Sequence, residues 1–162
     1  QSNDLAETHP EIVTELRALY DPFWKKVSPR LTPVRIDIGN PTDNPTVLCS
    51  QDWRMPNGNP PWNFTMIKKL PKVTGPWMIE VQKAGRYRIT LRQFPEEADK
   101  PVLAVKAELD IAGKTHRQEV QSGSKGVVFE IDLPAGPTQL VTRLFDNNGK
   151  AGGAYFTEVE AL

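Results

Sequence analysis

Residues Gly75 to Pro95 read GPWMIEVQKAGRYRITLRQFP, and the rest of the chain is arranged around them. Trp77, Ile79 and Val81 alternate with Met78, Glu80 and Gln82. Past Lys83-Ala84-Gly85, Tyr87, Ile89 and Leu91 alternate with Arg86, Arg88, Thr90 and Arg92. Alternation at period 2 on both sides of a glycine-bearing turn predicts a hairpin of two β-strands, each with one apolar and one polar face. Polar outer faces fit an antiparallel sheet wetted on one side better than a parallel sheet covered on both. The expected fold is mainly β, an antiparallel β-sandwich.

The pattern continues in both directions. Downstream, Val102 to Ile111 and Thr115 to Val120 predict a hairpin around Ala112-Gly113-Lys114. Val127, Phe129, Ile131 and Leu133 alternate with Val128, Glu130 and Asp132, and Ala154 to Leu162 reads as a closing strand. Leu140, Thr142 and Leu144 alternate with Val141, Arg143 and Phe145, a pattern too mixed to orient. Upstream, Val34, Ile36 and Ile38 alternate with Arg35 and Asp37, and Thr46 to Ser50 makes a short strand. Eight or nine strands separated by regular turns fit a sandwich. Ahead of them, residues 1–6 are polar and frayed in expectation. Ile12, Leu16, Leu19, Tyr20, Phe23 and Val27 form one helical stripe. Thr8 and Glu11 have capping-box spacing, Pro22 predicts a kink or restart, and Ser28-Pro29 a stop. The domain division read here is a helical segment, 1–30, and a sandwich, 31–162. The stripe needs a partner surface.

Twenty basic and twenty acidic side chains cancel, so nothing electrostatic favours nucleic acid or an anionic membrane, and neither is expected as a partner. Fifteen prolines and eleven glycines match short strands with many turns. No apolar run approaches membrane-spanning length, and no signal-peptide pattern opens the chain. The single cysteine, Cys49, has no partner for an internal disulfide.

No enzyme active site is legible. His9 and His116 have no cysteine, histidine or carboxylate at metal-ligand spacing, so no metal and no cofactor is expected. Cys49 reads as a small apolar residue. Asp146-Asn147-Asn148-Gly149 lacks the later glutamate of a calcium loop and reads as a turn. Asn63-Phe64-Thr65 is a glycosylation sequon by pattern. Gln51 to Leu70, QDWRMPNGNPPWNFTMIKKL, is a long aperiodic loop carrying Trp53, Trp62 and Phe64. A loop of that length in a compact domain is functional, a docking surface or disordered, and its aromatics argue against disorder. Trp53, Trp62, Asn63 and Phe64 are therefore candidate contacts to a sugar or a neighbouring domain, or else cover one edge of the sandwich. Arg86, Arg88 and Arg92 lie on one side of one strand. They can meet sulfates or carboxylates of a polyanion, or form a solvated face with Glu80 as cross-strand partner.

Two resemblances bear on these readings. NDLAETHPEIVTELRALYDPFWKKVSPR resembles the end of the catalytic part of bacterial arylsulfatases of the alkaline-phosphatase superfamily. VRIDIGNPTDNPTVLCSQDW, PPWNFTMI, AGRYRITLRQFP and GGAYFTEVE are similar to the C-terminal extension of a subset of them. Sulfatases make a formylglycine from the Cys or Ser of a Cys/Ser-x-Pro-x-Arg motif. Here Cys49 is followed by Gln51 where proline is required and by Trp53 where arginine is required, and the metal-binding blocks are absent, so no catalytic residue is carried over. AGRYRITL, GVVFEIDLPAGPTQLVTRLFD and AYFTEVEAL also look like the jelly-roll sandwiches of carbohydrate-binding modules. The resemblances imply a jelly-roll accessory domain from the C-terminal region of a secreted or periplasmic sulfatase. In that reading it is not itself an enzyme, and it docks on the catalytic domain of the same polypeptide and shapes its substrate cleft. The alternative they imply is a carbohydrate-binding module that holds a sulfated carbohydrate.

Overall fold

In the computed structural model, which describes residues 4–31 and 34–162, the chain divides into two units, Gln1–Val34 and Arg35–Leu162. The first three residues of the expected frayed end, and Thr32-Pro33 at the start of the expected first strand, lie outside the described residues.

The first unit holds helix α1, Pro10–Val27. Pro10 opens it where a missing N–H costs nothing, and Glu11 and the Lys25-Lys26 pair sit at the ends that favour their charges. The capping box expected of Thr8 does not form. The Thr8 hydroxyl donates instead to the Leu5 carbonyl at 3.0 Å, and His9 occupies the cap position without a side-chain bond to the helix backbone, its ring meeting Glu11 at 3.3 Å. The helix also runs unbroken through Pro22. The lost donor leaves only the Ala18 carbonyl, which is exposed, without its helical partner. The stripe forms as expected, but no residue of α1 is buried and Leu16 is 60% exposed. Tyr20 stacks on Trp24 with ring centroids 5.9 Å apart. A 3-10 turn, Ser28–Arg30, ends the helix.

The second unit is built of ten strands. They are β1 (Ile36–Ile38), β2 (Thr46–Cys49), β3 (Trp77–Val81), β4 (Gly85–Arg92) and β5 (Lys106–Ile111). After these come β6 (Lys114–Glu119), β7 (Val127–Leu133), β8 (Gly136–Phe145), β9 (Ala151–Gly152) and β10 (Phe156–Ala161). A larger sheet has the order β1-β3-β8-β5-β6, with β9 beside β8, and a four-stranded sheet has the order β2-β10-β4-β7. Every pair is antiparallel except β1 with β3, where Ile36 faces Ile79 and Ile38 faces Val81 in parallel register. Successive strands mostly cross from one sheet to the other, which is the jelly-roll habit. The apolar alternation of both sheets meets in one core. Trp77, Ile79, Leu109, Leu140 and Leu144 come from the larger sheet, and Leu48, Tyr87, Ile89, Leu91 and Val159 from the smaller. Each such side chain contributes about 1.5–3 kcal/mol by leaving water.

Gly75–Pro95 does not fold into the expected hairpin. Trp77, Ile79 and Val81 are buried, as are Tyr87, Ile89 and Leu91, but β3 pairs with β1 and β8 while β4 pairs with β10 and β7. The connection carries the chain across the core from one sheet to the other, braced by the Tyr87 hydroxyl donating to the Lys83 carbonyl at 2.6 Å. The β5–β6 hairpin does form, with Ala112 and Gly113 at φ +49° and +73°, the left-handed pair that a two-residue hairpin turn requires. In β8, Leu140, Thr142 and Leu144 face inward. The Thr142 hydroxyl is satisfied by the Ala154 amide at 2.9 Å, and Lys106 lies over the outward Phe145 ring at 5.0 Å.

Candidate functional site

The 51–70 loop is fixed at both ends and turned outward in the middle. Ser50 is buried, and its hydroxyl donates to the Pro61 carbonyl at 2.6 Å, tying the loop back onto the end of β2. After Trp62 the chain enters a one-turn helix, α2 (Phe64–Ile67). The Asn63 side-chain oxygen caps it by accepting from the Met66 amide at 2.9 Å, and Ile67 anchors it in the core. That cap aims Trp62 and Phe64 away from the core, and they are 61% and 45% exposed.

Below them lies the outer face of the four-stranded sheet, and its register sets the rows of side chains. Phe156 stands between Cys49 and Arg92, Glu158 between Val47 and Thr90, and Glu160 beside Arg88. Trp62, Phe64 and Phe156 line one concavity of about 150 Å³. Phe156 and Glu158 line a second, of about 80 Å³, with Val47, Arg92, Glu96 and Glu97. Phe156 belongs to both, so the two adjoin at its ring as the two halves of a shallow groove. Pockets that engulf small molecules are several times larger, on the order of 300–1,000 Å³. This groove offers ring faces and a polar edge to something lying on the surface.

The arginines of β4 are committed within the protein. Arg88 donates to Glu130 at 3.0 Å and to Glu160 at 2.8 Å, and these bonds raise its pKa further above its usual value. Arg86 meets Asp132 at 3.2 Å, and Arg92 meets Glu96 at 3.0 Å. The expected partner Glu80 lies on the other sheet, 3.9 Å from Arg35, because β3 and β4 are not neighbours.

Of the residues singled out in the sequence, Trp62, Phe64 and Arg92 come together at the groove, with Asn63 as the cap beneath them. Arg86 and Arg88 lie further along β4 in the ion-pair ladder. Trp53 is corrected outright as a contact residue: it is 3% exposed, its ring against Trp77 at 5.4 Å and Tyr155 at 5.9 Å. It fits because Gly153 has no side chain; a Cβ there would lie 2.5 Å from Trp53 Cη2. Phe156 and Glu158 were missed. Their signal was the alternation of Tyr155, Thr157 and Val159, which buries that set and turns the other set outward.

Elsewhere the chemistry-bearing residues are occupied. The Cys49 thiol, half-buried and 3.5 Å from Asp52, has its pKa pushed up to about 11 by burial and by that carboxylate. The Asp146 side chain accepts from the amides of Asn148 and Lys150 and pairs with Lys72 at 2.9 Å, so the 146–149 segment is a closed turn. Among the described residues, no three of His, Cys, Asp and Glu gather at metal-holding distance. A roomier cleft, about 580 Å³, lies among 101–105, 120–123 and Asp146-Asn147, and its lining carries neither an aromatic ring nor an uncommitted charge.

The fold and groove define a two-sheet β-sandwich domain with an aromatic surface site. No family model matches the sequence, and no curated protein does. Among solved structures, the chain is similar to a ruminal GH26 endo-β-1,4-mannanase at 15% identity and a TM-score of 0.46, covering 73% of this chain and 26% of that one. It is similar to the CBM35 from Cellvibrio japonicus Abf62 at 16% identity and TM-score 0.37, over 54% and 68% of the two chains. It is also similar to the family 35 carbohydrate-binding module from Clostridium thermocellum at 14% identity and TM-score 0.36, over 54% and 70%. The chain thus spans about a quarter of the mannanase.

Proposed function

We propose that the sandwich is a non-catalytic glycan-binding module whose ligand lies across the Trp62–Phe156 groove. One observation carries this reading: Trp62 and Phe64 from the loop and Phe156 from β10 line one shallow concavity, which adjoins at Phe156 a second that holds a carboxylate, Glu158. Sugar rings present apolar C–H faces that stack on aromatic rings and hydroxyl edges that hydrogen-bond to polar side chains, so such a groove matches both sides of a saccharide. Trp62→Ala should weaken retention on a panel of insoluble and gel-embedded polysaccharides by about tenfold or more, equivalent to about 1.4 kcal/mol, while the melting temperature stays unchanged. Wild-type protein that passes every polysaccharide unretarded would sink the proposal.

A second reading, docking on a sulfatase catalytic domain of the same polypeptide, is favoured by a different observation, the uncovered apolar stripe of α1. A contiguous exposed patch of that kind marks a protein contact. Produced together with the coding sequence directly upstream, α1 should gain protection from hydrogen exchange. Exchange that stays as fast as in the isolated chain counts against docking. In either reading the chain itself does not catalyse: it carries no Cys/Ser-x-Pro-x-Arg motif, and pure protein should turn over no aryl sulfate.

A further inference from the structure

We infer that the groove admits uncharged, hydroxyl-rich glycans and turns away sulfated or uronate-bearing ones, with Glu158 as the residue that decides; this rests on the glycan-binding reading above. The charges around the groove are not balanced. Arg92 is the one cation lining its Glu158 end, where both terminal nitrogens already donate within the protein, and Lys68 lies over the Phe64 ring at 4.6 Å at the other end. One terminal nitrogen of Arg92 bonds Glu96 at 3.0 Å, the other the Lys125 carbonyl at 3.3 Å, and Nε is buried. The neighbouring guanidinium, Arg88, is held by Glu130 and Glu160. Glu158 and Glu97, by contrast, line the groove and pair with no cation among the described residues. Glu158 has Val47 and Thr90 directly opposite it, and the two guanidiniums diagonal to it, Arg88 and Arg92, pair with Glu130, Glu160 and Glu96 instead.

That arrangement reads the chemistry of what is laid on it. An ionised carboxylate is an acceptor only, and a sugar hydroxyl can donate to it in a charge-assisted bond. A sulfate ester or a uronate has acceptors but no proton to offer, so it leaves Glu158 without a partner and adds like charge beside it. Juxtaposed like charges are how an interface rejects a wrong partner. The β4 arginines, which on sequence alone were candidates for meeting sulfates, are already neutralised by the protein's own carboxylates.

Affinity electrophoresis through gels containing neutral mannan, galactan, glucan or xylan, each beside a chemically sulfated sample of the same polymer, tests this. The neutral polymer that retards the protein should do so at least about tenfold more strongly than its sulfated form at low salt. The gap should shrink at 0.5 M NaCl, on the order of a 4–5 Å screening length, if charge is the cause. Glu158→Lys should narrow or reverse the preference, with Glu158→Gln between them and melting temperatures reporting that each variant is folded. Stronger retardation by a sulfated polymer, a preference indifferent to salt, or one unmoved in Glu158→Lys each overturns the selectivity while leaving glycan binding standing. Retardation by no polymer of either set overturns both.

Discussion

A methyl group at Gly153 has nowhere to go, because the far edge of the Trp53 indole already fills that space. Gly153→Ala should therefore cost about 1–3 kcal/mol, as overpacking does, and calorimetry should show a lower melting temperature. An unchanged transition would mean that the ring is not lodged there. Cys49 makes a second prediction at this scale. With its thiol pushed up to about 11, only about one molecule in a thousand carries the thiolate at pH 8, so alkylation should be slow and should quicken about tenfold per pH unit. Asp52→Asn removes a cause of the shift and should speed labelling at pH 8; a rate that levels off below pH 9 contradicts the assignment. Trp53 and Trp62 also show where residue-level reading stops. They sit in the same aperiodic loop and look alike in sequence. What separates them is a slot made by Gly75 and Gly153, far along the chain, and no local pattern announces a slot.

Among the elements, β5 carries a charge-dependent contact. Glu108 accepts from Arg117 at 2.8 Å and from Lys106 at 3.0 Å, and these bonds, Arg117's first, outweigh burial and hold its pKa below the usual carboxylate value. A folded pKa lowered in this way gives stability that is present above the unfolded value, about 4.3, and is lost as pH falls through the folded one. Glu108→Gln should flatten the acid limb of a stability–pH curve; an acid limb identical to wild type would contradict this. The strands themselves were legible. Tyr87, Ile89 and Leu91 face the core and the β4 arginines face out, as their alternation required. The partner of β4 was not legible. Side-chain period says which face of a strand is buried, yet two strands side by side in one sheet and two facing strands in opposite sheets bury the same alternating set. The hairpin at Ala112-Gly113 was legible because its turn chemistry permits little else. For α1 the stripe was legible and its covering was not. Since Leu16 is exposed, Leu16→Ala should change stability by no more than about 0.5 kcal/mol, and a loss of 2 kcal/mol would show that something covers it.

For the whole molecule, the division between Val34 and Arg35 predicts that a chain beginning at Arg35 folds alone. Arg35 has to stay, since its guanidinium donates to the Ile79 carbonyl of β3 and the Thr138 carbonyl of β8 and ties the start of β1 to both strands. Loss of cooperative melting in that shortened chain would mean that α1 belongs to the fold. Half of the groove was visible in the sequence as an aromatic loop; the other half needed the order of strands that puts Phe156 beside Cys49 and Arg92. That same order governs the timing of folding. The strand made last, β10, lies in the middle of the four-stranded sheet, and β2, made more than a hundred residues earlier, has no other partner in it. A chain emerging from the ribosome therefore holds β2 and one edge of β4 open until Phe156–Ala161 arrives, exposing strand edges of the kind that pair with other chains. A stop codon placed before Phe156 should yield insoluble protein rather than a shortened sandwich, because the sheet closes only from its centre.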